Sequence, residues 1–117
     1  MATVASDCLF CKIARREIPA EIVHESDRVV AFRDLRPVAP THILLIPKEH
    51  IESAASIEEG HGKLLADLFR TAAHLAKAEN LDSGWRLLTN VGPEAGQSVF
   101  HLHFHLLGGR PMEWPPG

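Results

Sequence analysis

The chain has no tyrosine, and only two cysteines, two methionines and two tryptophans among its 117 residues. With so few cysteines and no export signal in view, a structural disulfide is not expected. Positive charge is not in excess: 12 Lys and Arg stand against 15 Asp and Glu, a net charge of −3. That excludes a protein whose affinity rests on non-specific attraction to nucleic acid or anionic lipid. No apolar run approaches the ~18–20 residues that a membrane span needs. The stretch Met1 to Asp7 has neither a basic n-region nor an apolar h-region, so the expected location is the cytoplasm. Internal repeats and low-complexity segments are missing too. What is left, 45% hydrophobic and 23% charged residues, suits one soluble domain, for which the usual size is ~100–200 residues. Such a chain buries most of its apolar surface in one core. The departure from this plainness is histidine, of which there are eight.

Cys8 and Cys11 form a Cys-x-x-Cys pair. A thioredoxin-like redox motif follows a strand in a βαβ unit, and almost no chain precedes this pair. The spacing reads better as half of a metal site.

Residues Cys8 to Arg15 read as a short helix with Asp7 as N-cap and Pro19 just beyond its end, and the i, i+3 spacing sets both sulfurs on one face. Two strands, about Glu21–Glu25 and Arg28–Arg33, make a hairpin around Ser26-Asp27. Asp34 to Pro40 is a loop stiffened by Pro37 and Pro40. His42–Ile46 is a nearly continuous apolar run closed by Pro47, the pattern of a central strand buried on both faces. Ser56-Ile57-Glu58-Glu59 matches a capping box. The main helix, about Lys63–Glu79, repeats Leu64, Leu65, Leu68, Ala72, Leu75 and Ala76 at helical spacing. Trp85–Asn90 and Ser98–Leu107 are the remaining strands, separated by a loop from Val91 to Gly96. The fold class is therefore α+β: a five-stranded antiparallel sheet, one main helix and a short N-terminal helix.

In Gln97-Ser98-Val99-Phe100-His101-Leu102-His103-Phe104-His105-Leu106-Leu107 a strand would set His101, His103 and His105 on one face, ~7 Å apart in succession. Leu102, Phe104 and Leu106 would pack on the core from the other face. Strict alternation of three histidines speaks against a plain solvent face. Two chemistries remain, a metal site built of imidazoles and nucleophilic catalysis on phosphorus, in which an imidazole nitrogen attacks and later leaves.

The motif His101-Leu102-His103-Phe104-His105-Leu106-Leu107 resembles the signature of the histidine-triad (HIT) superfamily. Phe32-Arg33-Asp34-Leu35, Ala39-Pro40-Thr41-His42, Ile46-Pro47-Lys48-Glu49-His50-Ile51, Gly96-Gln97-Ser98 and Trp114-Pro115-Pro116-Gly117 extend the resemblance. Together they look like the Hint branch, the histidine-triad nucleotide-binding proteins, from about Cys8 to the last residue. The resemblance implies a single HIT domain over residues 1–117, its tail (about 111–117) reaching the partner of a homodimer in which two sheets join.

It further implies a purine nucleoside phosphoramidase, which hydrolyses the P–N bond of adenosine or guanosine 5′-phosphoramidates. By similarity, His103 is the nucleophile and forms a nucleotidyl-imidazole intermediate. His105 contacts the phosphate oxygens, and His42 joins the chain of hydrogen bonds that orients His103. Ser98, with Gln97 and Gly96, holds the phosphate and approaches the leaving amine. Asp34 accepts from the ribose hydroxyls, Asn90 contacts the phosphate side, and Leu35 and Phe32 line a slot for the base. Trp114 lies near the partner's active site. Cysteine-bearing members bind zinc through Cys, Cys, His and His, which here are Cys8, Cys11, His50 and His101, so one structural zinc per subunit is expected. Each role has a plainer rival: Asp34 could cap its turn, Phe32 could be core, and Trp114 could anchor the tail. His24, His61 and His74 carry no expected role. The loop before Ser98 is not a P-loop, since it lacks the Gly-Lys-Ser/Thr ending and opens a strand.

Three other functions compete. A dinucleoside polyphosphate hydrolase of the Fhit-like branch fits the triad but not the Trp-Pro-Pro-Gly ending. A nucleotide-binding regulatory protein would use the same pocket. A metal-storage protein would leave the nucleotide-site residues unexplained. Uridylyltransferase relatives carry Gln where this chain has His105.

Overall fold

A computed structural model describes residues 7–117; residues 1–6, the start of the expected domain, lie outside the described residues. Helix α1 (Leu9–Ala14) is followed by strands β1 (Ile22–Glu25), β2 (Val29–Arg33) and β3 (Thr41–Pro47). Helix α2 (Gly62–Ala78) then leads to β4 (Trp85–Leu88) and β5 (Phe104–Gly108). The five strands lie in the order β1-β2-β3-β5-β4, and each neighbouring pair is antiparallel. The chain thus leaves β3, crosses the sheet through α2, enters at the far edge and returns beside β3. None of its helices is long and apolar enough to cross a membrane among the described residues.

Alternation along the strands splits the core in two. Val29, Ala31, Ile43, Leu45, Leu102, Phe104 and Leu106 meet α2 through Leu64, Leu68, Ala72, Leu75 and Ala76. The opposite face sends Val30, Phe32, Leu44 and Ile46 against Phe10 and Ile13 of α1. Every residue of β3 is buried, as its apolar run requires. Phe32 thereby belongs to the core, edge-on to Phe10 at 5.6 Å.

Three local expectations are corrected. The N-cap of α1 is Cys8, not Asp7: Cys8 is extended (φ −80°, ψ 121°) and its sulfur accepts the Cys11 N–H at 3.4 Å. Ser56 does not open a capping box, because Ile57 turns back to extended backbone; Ser53 instead accepts the Ala55 N–H. The last strand begins at Phe104, six residues later than Ser98. Its ladder with β3 runs only from Thr41↔Gly108 to Leu45↔Phe104. Two residues further on, Pro47 has no N–H to offer a continuing ladder. His101 and His103 therefore sit in an irregular run ahead of β5, although Leu102 still faces α2.

Candidate active site and metal centre

Five of the eight histidines, His42, His50, His101, His103 and His105, gather on the α1 side of the sheet, in two groups joined by one backbone carbonyl. His42 comes from the start of β3 and His105 from β5, and the pairing of β3 with β5 brings His42 Nε2 to 2.9 Å from His105 Nδ1. The rings of His103 and His105 are 5.1 Å apart, closer than the spacing of a regular strand face. Asp34, just past β2, puts a carboxylate oxygen 3.5 Å from His42 Nε2.

Backbone groups decide where the protons sit. The Val38 N–H can only donate, and it points at His42 Nδ1 from 3.1 Å. Neutral His42 therefore carries its hydrogen on Nε2 and donates it into the pocket. His105 Nδ1 receives it, which leaves the hydrogen of the neutral His105 ring on Nε2. In the same way the His101 carbonyl can only accept, and His103 Nδ1 lies 2.7 Å from it. His103 thus holds its hydrogen on Nδ1 and turns a lone pair outward on Nε2. The Thr89 hydroxyl donates to the His103 carbonyl at 2.7 Å and fixes this stretch from the other side.

Burial favours the neutral form of His105 and His42. It pushes the pKa of His105 down to about 4, helped by the neighbouring His103 and His42 and opposed by Asp34. His42 is lowered for the same first reason, again with Asp34 opposing. Asp34, His42 and His105 lie close enough to share a metal ion. The proton on His42 Nε2 leaves that nitrogen no lone pair for one, so this group reads as a hydrogen-bonded relay.

The second group does read as a metal centre. Cys8, Cys11, His50 and His101 bring their donor atoms within 4.8 Å of one another. His101 Nδ1 is 3.3 Å from the Cys8 sulfur and 3.5 Å from that of Cys11. His50 Nδ1 stands 3.4 Å from the Cys11 sulfur and 3.2 Å from His101 Nδ1. His101 Nε2 donates to the Pro47 carbonyl at 2.8 Å, which leaves Nδ1 as a lone pair aimed into the cluster. A lone pair and two thiol sulfurs converging on one buried point suit a tetrahedral ion, with the Pro47 carbonyl orienting the ligand from behind. Burial also holds the His101 pKa down to about 4, so the ring is free of protons that would compete with a metal. These four side chains could hold one zinc.

The remaining candidates fall into three places. Gln97 is buried, and its side chain accepts from the Gly92 N–H and donates to the carbonyls of Glu52 and Val99; it shapes the loop before the triad, leaving only backbone for a ligand. Gly96, at φ +98°, lies beside Asn90, and Ser98 is exposed in the same loop. Asp34 also accepts the Arg36 N–H at 2.7 Å, so the turn-capping rival is realised with one oxygen while the other faces His42. Leu35 and Trp114 project into solvent, 96% and 82% exposed.

Sequence reasoning missed Phe10, whose ring meets His103 edge-on at 5.0 Å and His101 at 6.0 Å. It also missed the carbonyls of Pro47 and His101 and the Val38 N–H, whose roles come from the backbone and leave no residue-type signal. The buried Phe between two cysteines was the one visible hint.

The HIT domain family matches residues 15–112. A 14 kDa zinc-binding protein of Zea mays is 49% identical over 114 residues, covering 96% of this chain and 89% of that protein. A HIT family hydrolase from Legionella pneumophila superimposes with TM-score 0.93 at 53% identity, over 95% of this chain and all of the other. A histidine triad nucleotide-binding protein from Candida albicans does so with TM-score 0.79 at 34% identity, over 93% of this chain and 83% of that one.

Proposed function

The chain belongs to the HIT domain family, and from that premise we propose that it is a purine nucleoside phosphoramidase of the Hint branch. The observation that carries this reading is the set of bonds at Nδ1 of His42, His105 and His103. For neutral rings these leave a lone pair on His103 Nε2 and an N–H on His105 Nε2, in rings 5.1 Å apart. One ring is ready to attack phosphorus and the other to donate to its oxygens. The resemblance to the Candida albicans nucleotide-binding protein and the Gly96-Gln97-Ser98 loop support a nucleotide as ligand.

In the first step His103 Nε2 attacks the phosphorus of an adenosine or guanosine 5′-phosphoramidate. The new P–N bond forms to the imidazole while the P–N bond to the amine breaks. The amine takes up a proton from solvent as it leaves, and the water that attacks in the second step returns one to solvent. The ring becomes cationic, and its Nδ1–H, already held by the His101 carbonyl, then makes a charge-assisted bond. His105 Nε2–H steadies the phosphoryl oxygens, with its tautomer set by His42. Water then attacks phosphorus, the bond to His103 breaks and the nucleoside monophosphate leaves. Ser98, Gly96 and the backbone at Gln97 border the phosphate, Asn90 its outer side, Asp34 the ribose hydroxyls, and Leu35 with the edge of Phe32 the base.

Cys8, Cys11, His50 and His101 hold a structural zinc, in keeping with the zinc-binding relative from maize. The ion ties α1 to the segment that carries His103. The single domain pairs with a second copy, and residues 111–117 bring Trp114 to the partner's site.

The test is release of AMP from adenosine 5′-phosphoramidate, with zinc measured in the same protein. The expected result is turnover that His103→Ala lowers by three or more orders of magnitude, the scale of losing a nucleophile, with stoichiometric zinc. Tight AMP binding without turnover would make this a binding protein. Turnover of dinucleoside polyphosphates alone would move it to the Fhit-like branch.

A further inference from the structure

The tautomer of His42 is set from its Nδ1 side by one peptide N–H, that of Val38, in a segment outside any helix or strand. The Asp34 carboxylate, 3.5 Å from Nε2, favours the same form from the other side. Residues 34–40 join β2 to β3, and Val38 itself is 58% exposed. Local fastening comes from the Asp34 N–H to the His42 carbonyl at 3.0 Å and from the turn between Asp34 and Arg36. Another fastening reaches in from the end of β5: the Arg110 Nε–H donates to the Val38 carbonyl at 3.0 Å, while Nη1 donates to the Pro111 carbonyl at 3.0 Å. Two bonds therefore bracket the α-carbon of Val38, one given to His42 and one taken from Arg110. The backbone at Gly109 is built for this approach. It has φ +90°, and a Cβ there would stand 2.9 Å from that of Pro40.

We propose that Arg110 is a positioning residue for the relay, holding Val38 so that its N–H fixes His42 as the Nε2–H tautomer. The consequence reaches the substrate through two rings. If the Val38 N–H drifts, His42 Nδ1 loses its donor and the ring gains access to the Nδ1–H form. His42 Nε2 then presents a lone pair to His105 Nδ1, at 2.9 Å. To avoid two facing lone pairs, His105 must move its own hydrogen to Nδ1, and its outer nitrogen changes from donor to acceptor. An acceptor there repels phosphate oxygens instead of holding them. No proton is gained or lost, and only the polarity of the chain reverses. Lysine cannot replace the guanidinium fully, because Arg110 serves two carbonyls with one planar fork.

The catalytic consequence rests on the phosphoramidase reading, whereas the tautomer itself does not. The experiment combines long-range 1H–15N NMR of the imidazole nitrogens with steady-state turnover of adenosine 5′-phosphoramidate, for wild type, Arg110→Ala, Arg110→Lys and Trp114→Ala. In the wild type His42 should show an unprotonated Nδ1 and a protonated Nε2. Arg110→Ala should move both nitrogens toward averaged values and lower kcat roughly tenfold, the scale of one charge-assisted hydrogen bond. Arg110→Lys, with one donor restored, should fall between. Trp114→Ala removes an exposed side chain of the tail and should leave the His42 signals in place, whatever it does to turnover at the partner's site. Unchanged His42 nitrogens in Arg110→Ala overturn the proposal, whatever happens to kcat. If the wild type releases no AMP, the phosphoramidase reading fails while the His42 signals still decide for or against Arg110.

Discussion

Single backbone groups place the protons in this pocket, and burial keeps the count of protons low. For His105 the pH dependence of stability has a definite sign. Its folded pKa, about 4, lies below the ordinary 6.5, so between those values the unfolded chain binds more protons than the folded one. Stability is complete above about pH 6.5 and is lost as pH falls toward 4, by at most about 1.4 kcal/mol per pH unit for one such group. Glu25 works in the same direction at lower pH: hydrogen bonds from Lys48 and Arg16 hold its carboxyl at about 2, and its exposure makes its share small. Urea unfolding at pH 7 and pH 5 should therefore show a smaller loss for His105→Gln than for the wild type. An equal loss in both would mean that His105 is charged in the folded protein.

At the scale of elements, the zinc ligands tie together parts that are weak alone. α1 has six residues, far below the ~12–15 at which an isolated helix becomes even marginal. Phe10 and Ile13 seat it on the sheet, and Cys8 and Cys11 lock its first turn to His50 and His101. Removing zinc with a chelator should lower the free energy of unfolding by about 2.7 kcal/mol where free zinc had stood at about 100 times its Kd. Amide exchange should quicken first in residues 9–15. Cys8→Ser should reproduce the loss and make the chelator ineffective; equal stability with and without chelator would remove zinc from the fold. This part of the site was half legible: Cys-x-x-Cys announced two ligands, but His50 and His101 are 39 and 90 residues away from Cys11, and only the resemblance joined them. α2 was legible to within a residue because its Leu and Ala period reports burial directly. The start of β5 was not, since alternation of His and Leu continues through residues whose ladder partner has already ended at Pro47. The cap of α1 was misread because a cysteine sulfur accepts the N–H that an aspartate ordinarily would.

For the whole molecule, the question is what the two edges of the sheet do. The β1 edge is lined with charge: Glu25 pairs with Arg16 and Lys48, and Glu21 with Arg33. Charged side chains of this kind discourage a further strand. The β4 edge, Trp85-Arg86-Leu87-Leu88, carries one charge in four residues, and Trp85 is 42% exposed. Phe69 on α2 is 54% exposed as well. If the proposed dimer joins two sheets into one, β4 is the edge with the chemistry to do it. The same arrangement would set the tail, fastened by Arg86 to the Glu113 carbonyl at 3.0 Å, beside the partner, which accounts for a tryptophan left in solvent. Sedimentation of the wild type should give twice the monomer mass, and Trp85→Glu, which would bring a carboxylate of each copy into the joined edge, should give monomer with an unchanged circular dichroism spectrum. Loss of the dimer should also change how the enzyme ranks leaving amines, because Trp114 would no longer reach a partner's site. A wild type that sediments as a monomer at all concentrations would sink the shared sheet, and with it any role for Trp114 beyond its own chain.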